Sequence, residues 1–337
     1  MNTVWFWVLG AMLTAYAVLD GYDLGAGVLH LMVARDDPER RIVLNAIGPV
    51  WNGNEVWLIA GGGMMVVSFP KLYAAAFSGF YLALMLVLWL LILRGVSIEF
   101  RSKIDNPLWR SLWDTGFFAG SLLLALLLGV ALGNVIRGVP VGADGYFQGT
   151  FAMMLNPYAL LIGLTSLLVL AWHGSAYLRV KTEGELLRRV TAVSNALTWA
   201  SLVFVILATL GTFAASSTLA SNYRHHPAAF AFPLLGAVGL AGGILSRGPD
   251  HEKRAYRFST LTIIGLLLAA AMTIYPNLLI STVNPDYSLN IFNAASSPAA
   301  QRDALIANLA GMLAVVVYSS YIHRTFQGKV RLGEHGY

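Results

Sequence analysis

Residues 19–27 read LDGYDLGAG, and residues 48–57 read GPVWNGNEVW. Both strings sit inside long apolar runs. They put Asp20, Asp23, Asn52, Asn54 and Glu55 where a membrane-spanning helix ordinarily carries leucine. Ionisable groups in hydrocarbon cost free energy, so they mark a pathway, a proton relay or a buried ion pair.

The rest of the chain supports a membrane setting. Of 337 residues, 57% are hydrophobic and 12% charged, with a mean hydropathy of +0.65. A soluble domain carries about 25% charged residues. The apolar excess falls in runs that match the roughly 20 residues needed to cross a bilayer. The net charge of +5 comes from basic residues in short loops between those runs. That pattern reads as topology rather than nucleic-acid binding. Cysteine is absent, which excludes disulfides, thiolate metal sites, iron–sulfur clusters and covalent haem attachment through this chain. The N-terminus, MNTVWFWVLG, has no basic leader and reads as the opening of the first spanning helix.

The pattern predicts an all-α, polytopic integral membrane protein of nine spanning helices. They run over 4–33, 47–69, 73–100, 112–136, 157–178, 193–215, 229–246, 259–281 and 303–323. Helices are required because a lone spanning segment must satisfy its own backbone hydrogen bonds. One side of this topology collects 18 of the 22 Lys and Arg. The other holds only Lys71, Arg137, Arg224 and Arg302. The basic side is expected in the cytoplasm, with the N-terminus outside and the C-terminus inside. The longest outer loops, 137–156 and 282–302, are rich in Gly, Pro, Asn and Ser and read as irregular surface segments.

Depth brings the polar groups together. Asp23 lies about 16 Å above the cytoplasmic end of the first helix, and Glu55 and Arg94 each about 12 Å from the same side. These groups share one layer, with Asp20 about a turn nearer the centre. The sequence expectation aligns Asp23 with Glu55 and takes Arg94 as counter-ion. Glu99 and Asp114 are further polar candidates. One reading of the cluster is a proton or cation path from the cytoplasm through Asp20, Asp23, Asn52 and Glu55. The other is a structural ion pair that fixes helix packing. Gly21 and Gly25 have a spacing that lets helices approach closely.

Of seven histidines, only His30 and His173 are placed within helices, and no motif argues for haem on them. There is no HExxH, nucleophile elbow or phosphate loop, so no catalytic or metal-ligating residue is assigned in this chain.

Several long strings in order resemble subunit II of the cytochrome bd-type quinol oxidases. They are LDGYDLGAG, GPVWNGNEVWLIAGGG at 48–63, FPKLYA at 69–74, LRGVSIEFR at 93–101 and YPNLLISTVNPDYSLNIFNAASS at 275–297. The short length and compact loops resemble the branch called cyanide-insensitive oxidases. The resemblance implies a complex in the bacterial inner membrane that oxidises quinol and reduces dioxygen to water, building a proton gradient without pumping. It implies a haem-bearing subunit I as partner, holding haems b and d or haems b alone. No haem is expected in this chain. A structural quinone in this chain and a small single-helix subunit are further features of such complexes. The implied fold is two four-helix bundles, 1–136 and 157–281, plus a peripheral ninth helix at 303–323. The implied role is assembly, haem shielding and proton delivery through the acids of the first helices. One departure bears on that role: the family commonly has Asp where this chain has Asn52. The alternative from another class is a cation-coupled secondary transporter. Such a carrier should repeat its polar, broken helices in the second half of the chain, where only Pro276 and Asn277 in the eighth helix hint at it.

Overall fold

A computed structural model describes residues 1–216, 218–248 and 250–332. Among the described residues, thirteen α-helices follow one another. They are α1 Asn2–Val33, α2 Asp37–Ile47, α3 Trp51–Ser68, α4 Pro70–Gly79, α5 Tyr81–Phe100, α6 Pro107–Arg137, α7 Phe151–Met154, α8 Pro157–Lys181, α9 Gly184–Ala215, α10 Leu219–His225, α11 Ala231–Leu245, α12 Glu252–Ile274 and α13 Pro298–Thr325. Short 3₁₀ turns lie at Pro227–Phe230 and Pro285–Tyr287. Strands β1 Asn277–Leu279 and β2 Leu289–Asn290 form an antiparallel pair.

Among the described residues, eight helices are long and apolar enough to cross a membrane. They are α1, α5, α6, α8, α9, α11 with its leading 3₁₀ turn, α12 and α13. The remaining predicted span corresponds to α3, which stands outside the eight. It carries Asn52, Asn54 and Glu55 in its first turns, and these lower its apolar content.

The centre of the molecule is the second half of α1. Every residue from Asp20 to His30 is buried there. The glycines explain how α1 gets in so deep. A Cβ on Gly25 would lie 2.0 Å from the Leu170 carbonyl oxygen and 2.7 Å from the Gly174 Cα of α8. Only hydrogen fits at that crossing, as the small-residue spacing of α1 anticipates. One apolar core surrounds this half of α1 and includes Leu29, Val33, Leu44, Ile47, Ile98 and Tyr177. A second lies under the loops on the opposite side from the basic flanks, with Trp5, Phe69, Val141 and Ile291.

Four differences from the sequence expectation have a clear local reason. The third predicted helix is broken at Phe80 into α4 and α5. Gly79 sits at the break, where a Cβ would meet the Phe147 side chain at 2.6 Å, so the loop ring wedges into a Ser-Gly weak point. The sixth begins at Gly184 rather than 193, because polar residues such as Arg188 and Arg189 continue the helix beyond the apolar run. The eighth ends at Ile274, not 281. Pro276 lacks an N–H and biases the residue before it away from helix, so Pro276 and Asn277 lie past the helix. Finally, α2 fills the stretch between the first two expected spans with a helix. Asp36 caps it by accepting from the Glu39 N–H at 2.9 Å, with Pro38 in its first turn.

Candidate functional site

Arg94 enters from α5 with its side chain fully buried. Its guanidinium donates two hydrogen bonds to Asp20 of α1, Nη1 to Oδ2 at 3.0 Å and Nη2 to Oδ1 at 2.5 Å. Nη2 also donates to Glu55 Oε1 of α3 at 2.9 Å. Arg94 therefore ties three helices together in one layer. The fork geometry is the one in which arginine binds carboxylates most strongly. Asp20 is fully buried, while Glu55 is 20% exposed and forms the edge of the cluster.

Asp23 is not aligned with Glu55. The acid facing Glu55 across Arg94 is Asp20, one turn earlier. Asp23 points to a different neighbour, the Asn54 amide, which donates to its Oδ2 at 2.7 Å. Its other oxygen, Oδ1, is buried without a hydrogen-bond partner. The same Asn54 nitrogen reaches the Tyr22 hydroxyl at 2.9 Å and the Leu19 carbonyl at 3.1 Å. One guanidinium thus faces two carboxyl groups, and a third lies beside them on a neutral amide.

Asn52 lies elsewhere. It is on the exposed face of α3, whereas Asn54 is buried against α1. Two residues along a helix turn about 200° around the axis, so only one of the two asparagines can face α1. Asn52 therefore takes no part in the Asp20, Asp23 and Glu55 group.

Asp114 of α6 anchors a second charged group near the basic end. It accepts from His30 Nε2 at 2.6 Å, from Arg101 Nε at 2.6 Å and from Arg40 Nη1 at 2.9 Å. Arg101 also bonds Asp37 at 2.9 Å, and Arg189 on the overhang of α9 pairs with Glu39. This group staples the short α2 to α1, α5, α6 and α9. Glu99 is half-buried on the last turn of α5 between Arg94 and Arg101.

Sequence reasoning missed three partners. His30 was not linked to Asp114, since the contact joins residues 84 apart in sequence. Tyr22 stood between the two acids of LDGYDLGAG but was not singled out. His323 was placed at a helix end. It lies within α13 and reaches Tyr22 at 2.9 Å. The outlying histidine His335 lies outside the described residues.

The histidines inside the membrane helices are held by protein partners, with only the His30 Nδ1 left buried and unpartnered among them. His30 Nε2 is held by Asp114. His173 uses both ring nitrogens, on Ser259 Oγ at 2.8 Å and the Val18 carbonyl at 2.9 Å. His323 uses both, on Tyr22 and the Ser319 carbonyl. Among the described residues, no group of three or more His, Asp or Glu side chains is arranged to hold a metal ion.

Residues 1–326 match the family described as cytochrome bd terminal oxidase subunit II. The chain belongs to that family. It is 36% identical over 327 residues to the cytochrome bd-I ubiquinol oxidase subunit 2 of Escherichia coli strain K12, covering 88% of this chain and 86% of the relative. It is 29% identical over 330 residues to the cytochrome bd ubiquinol oxidase subunit 2 of Bacillus subtilis strain 168, covering 96% of each. The fold is shared with a chain of the bd oxidase from Geobacillus thermodenitrificans. The TM-score is 0.77 at 17% identity, over 96% of this chain and 98% of that one. Family membership displaces the transporter alternative.

Proposed function

We propose that this chain is the haem-free subunit II of a membrane quinol oxidase, and that its deep charged cluster holds and passes protons used in reducing dioxygen to water. Membership of the subunit II family carries the first part. The complex is a quinol:oxygen oxidoreductase with haem cofactors and a second, larger-role subunit I in a bacterial inner membrane. Haems b and d, or b alone, are assigned to subunit I, where they supply the one-electron chemistry between quinol and oxygen. A structural quinone and a small single-helix subunit complete the proposed assembly.

The proton role rests on one observation. Arg94 pairs with Asp20 and Glu55, while Asp23 has only a neutral amide and one unpartnered oxygen. A single guanidinium compensates one carboxylate, and unpaired buried charge is costly. The surplus carboxyl groups are therefore suited to carry exchangeable protons. The basic flanks of α1, α8 and α13 support a cytoplasmic placement of their side, and on that reading the cluster draws protons from there. The domain reading is 1–136 and 157–281 as two four-helix groups, with 303–323 at the periphery. The mostly exposed surface of α13 supports the last part.

Purification in mild detergent tests the assembly. A co-purifying membrane subunit with haem bands in the reduced-minus-oxidised spectrum is the expected result. A haem-free, stably folded single chain would overturn it. In the same complex, Asp23→Asn is expected to slow quinol-driven oxygen reduction about tenfold at unchanged haem content.

A further inference from the structure

The deep cluster needs a connection to the basic side, and the charged group around Asp114 is a poor one. Arg40 and Arg101 both face Asp114, and fixed guanidinium charges repel a passing proton. A second connection exists. His323 of α13 meets the Tyr22 hydroxyl at 2.9 Å. Tyr22 and Asp23 both contact the Asn54 amide nitrogen, at 2.9 and 2.7 Å, so their oxygens lie within about 5.6 Å of one another. One water molecule spans such a gap. Aromatic rings pack around Tyr22. Tyr177 stacks on it at 4.0 Å, with Tyr256 and His173 each at 6.0 Å. Lys181 sits over the Tyr177 ring at 5.5 Å and donates to the Phe326 carbonyl.

We propose that His323 and Tyr22 form the proton inlet of the deep cluster, with Asn54 as the gate between Tyr22 and Asp23. The proposal rests on the proton-holding reading of Asp23 given above. The tautomer is set by geometry. His323 Nδ1 lies 2.7 Å from the Ser319 carbonyl, so it carries a proton and donates it. Nε2 of the neutral ring then accepts from the Tyr22 hydroxyl. His323 is half-buried near the end of α13, so its ring can collect a proton at Nε2. Nε2–H next donates to the Tyr22 oxygen. As that oxygen takes this proton, it releases its own toward the Asp23 carboxylate. With one water carrying the proton across the gap, one N–H bond and two O–H bonds break, and three O–H bonds form. The imidazolium and the carboxylate are both neutralised. The Asn54 amide cannot itself relay a proton, so transfer waits on its NH₂ swinging out from between the two oxygens.

The test uses the assembled oxidase, with Tyr22→Phe, His323→Ala and Asp23→Asn compared for proton uptake as the reduced complex reacts with dioxygen. Haem content is read in parallel. Tyr22→Phe keeps the ring stack and removes only the hydroxyl. It and His323→Ala are each expected to slow uptake about tenfold at full haem content. Added imidazole should restore His323→Ala and leave Tyr22→Phe slow. Slow uptake in Asp23→Asn alone would overturn the inlet while leaving the proton role of Asp23 standing. Normal uptake in all three would remove that role and the inlet with it. A loss in His323→Ala that imidazole does not restore and that follows loss of haem would make the contact a fastening only, and the proposal would fall.

Discussion

Two charged groups share α1 and α5 and are built on opposite principles. Around Asp114, one carboxylate meets two guanidiniums and a histidine. Around Arg94, one guanidinium meets two carboxyl groups, and Asp23 adds a third beside them. The first group is saturated with donors, as befits a fastening for α2 and the ends of α5 and α6. The second is short of positive charge and leaves an acidic oxygen without a partner. In the first group the atoms left without partners are ring or guanidinium nitrogens, at His30, Arg40 and Arg101; in the second they include a carboxylate oxygen. Position fits the difference, since Arg40 in the first group is 29% exposed whereas Arg94 is fully buried.

The comparison can be broken most forcefully at Arg94. Arg94→Leu leaves Asp20 buried without a cation and is expected to cost about 3–5 kcal/mol, seen as loss of assembled complex in detergent. Retention of a stable complex would mean that Arg94 is not the fastener of α1, α3 and α5. Asp114→Asn comes next. It weakens every donor contact at that site, and the expected result is a fall of roughly 2–3 kcal/mol in thermal stability. Turnover per haem should stay near normal in whatever complex assembles. A large drop in turnover at normal stability would move proton chemistry to the basic end. Glu55→Gln should show the reverse pattern. The group is at the edge of the cluster and keeps a hydrogen-bonding side chain, so stability should change by about 1 kcal/mol or less. Oxygen reduction should slow several-fold. The smallest effect is expected at Asn52→Asp, on the exposed face of α3. Surface changes away from packed features usually fall within about 0.5 kcal/mol, and proton uptake should be unaltered. Faster uptake would show that the exposed face of α3 also carries protons.

Much of the fold is legible because a bilayer imposes long apolar runs, and α1, α8 and α13 start or end within a few residues of the positions read from hydropathy. The segments that escaped are those where apolar content is not the deciding quantity. α2 is a short amphipathic helix with a capping aspartate. The overhang of α9 is polar yet helical. The break at Phe80 depends on a ring from a distant loop. The same division runs through the site. A fixed rise per residue gives depth, so Asp20, Asp23, Glu55 and Arg94 could be placed in one region from sequence alone. Rotation about each helix axis is set by packing, and it decides which groups touch. Asp20 and Asp23 differ by about 60° around α1, enough for one to meet Arg94 and the other Asn54. Contacts such as Tyr22 with His323, 301 residues apart, carry no local signal.

The central claim is that the deep cluster holds exchangeable protons and the group around Asp114 does not. Redox-induced infrared difference spectroscopy of the assembled oxidase reads this directly in the region of protonated carboxyl groups. The account predicts a carboxyl band that shifts in D₂O, is lost or altered in Asp23→Asn or Glu55→Gln, and persists in Asp114→Asn. A band that survives both substitutions in the deep cluster and disappears with Asp114→Asn would contradict it.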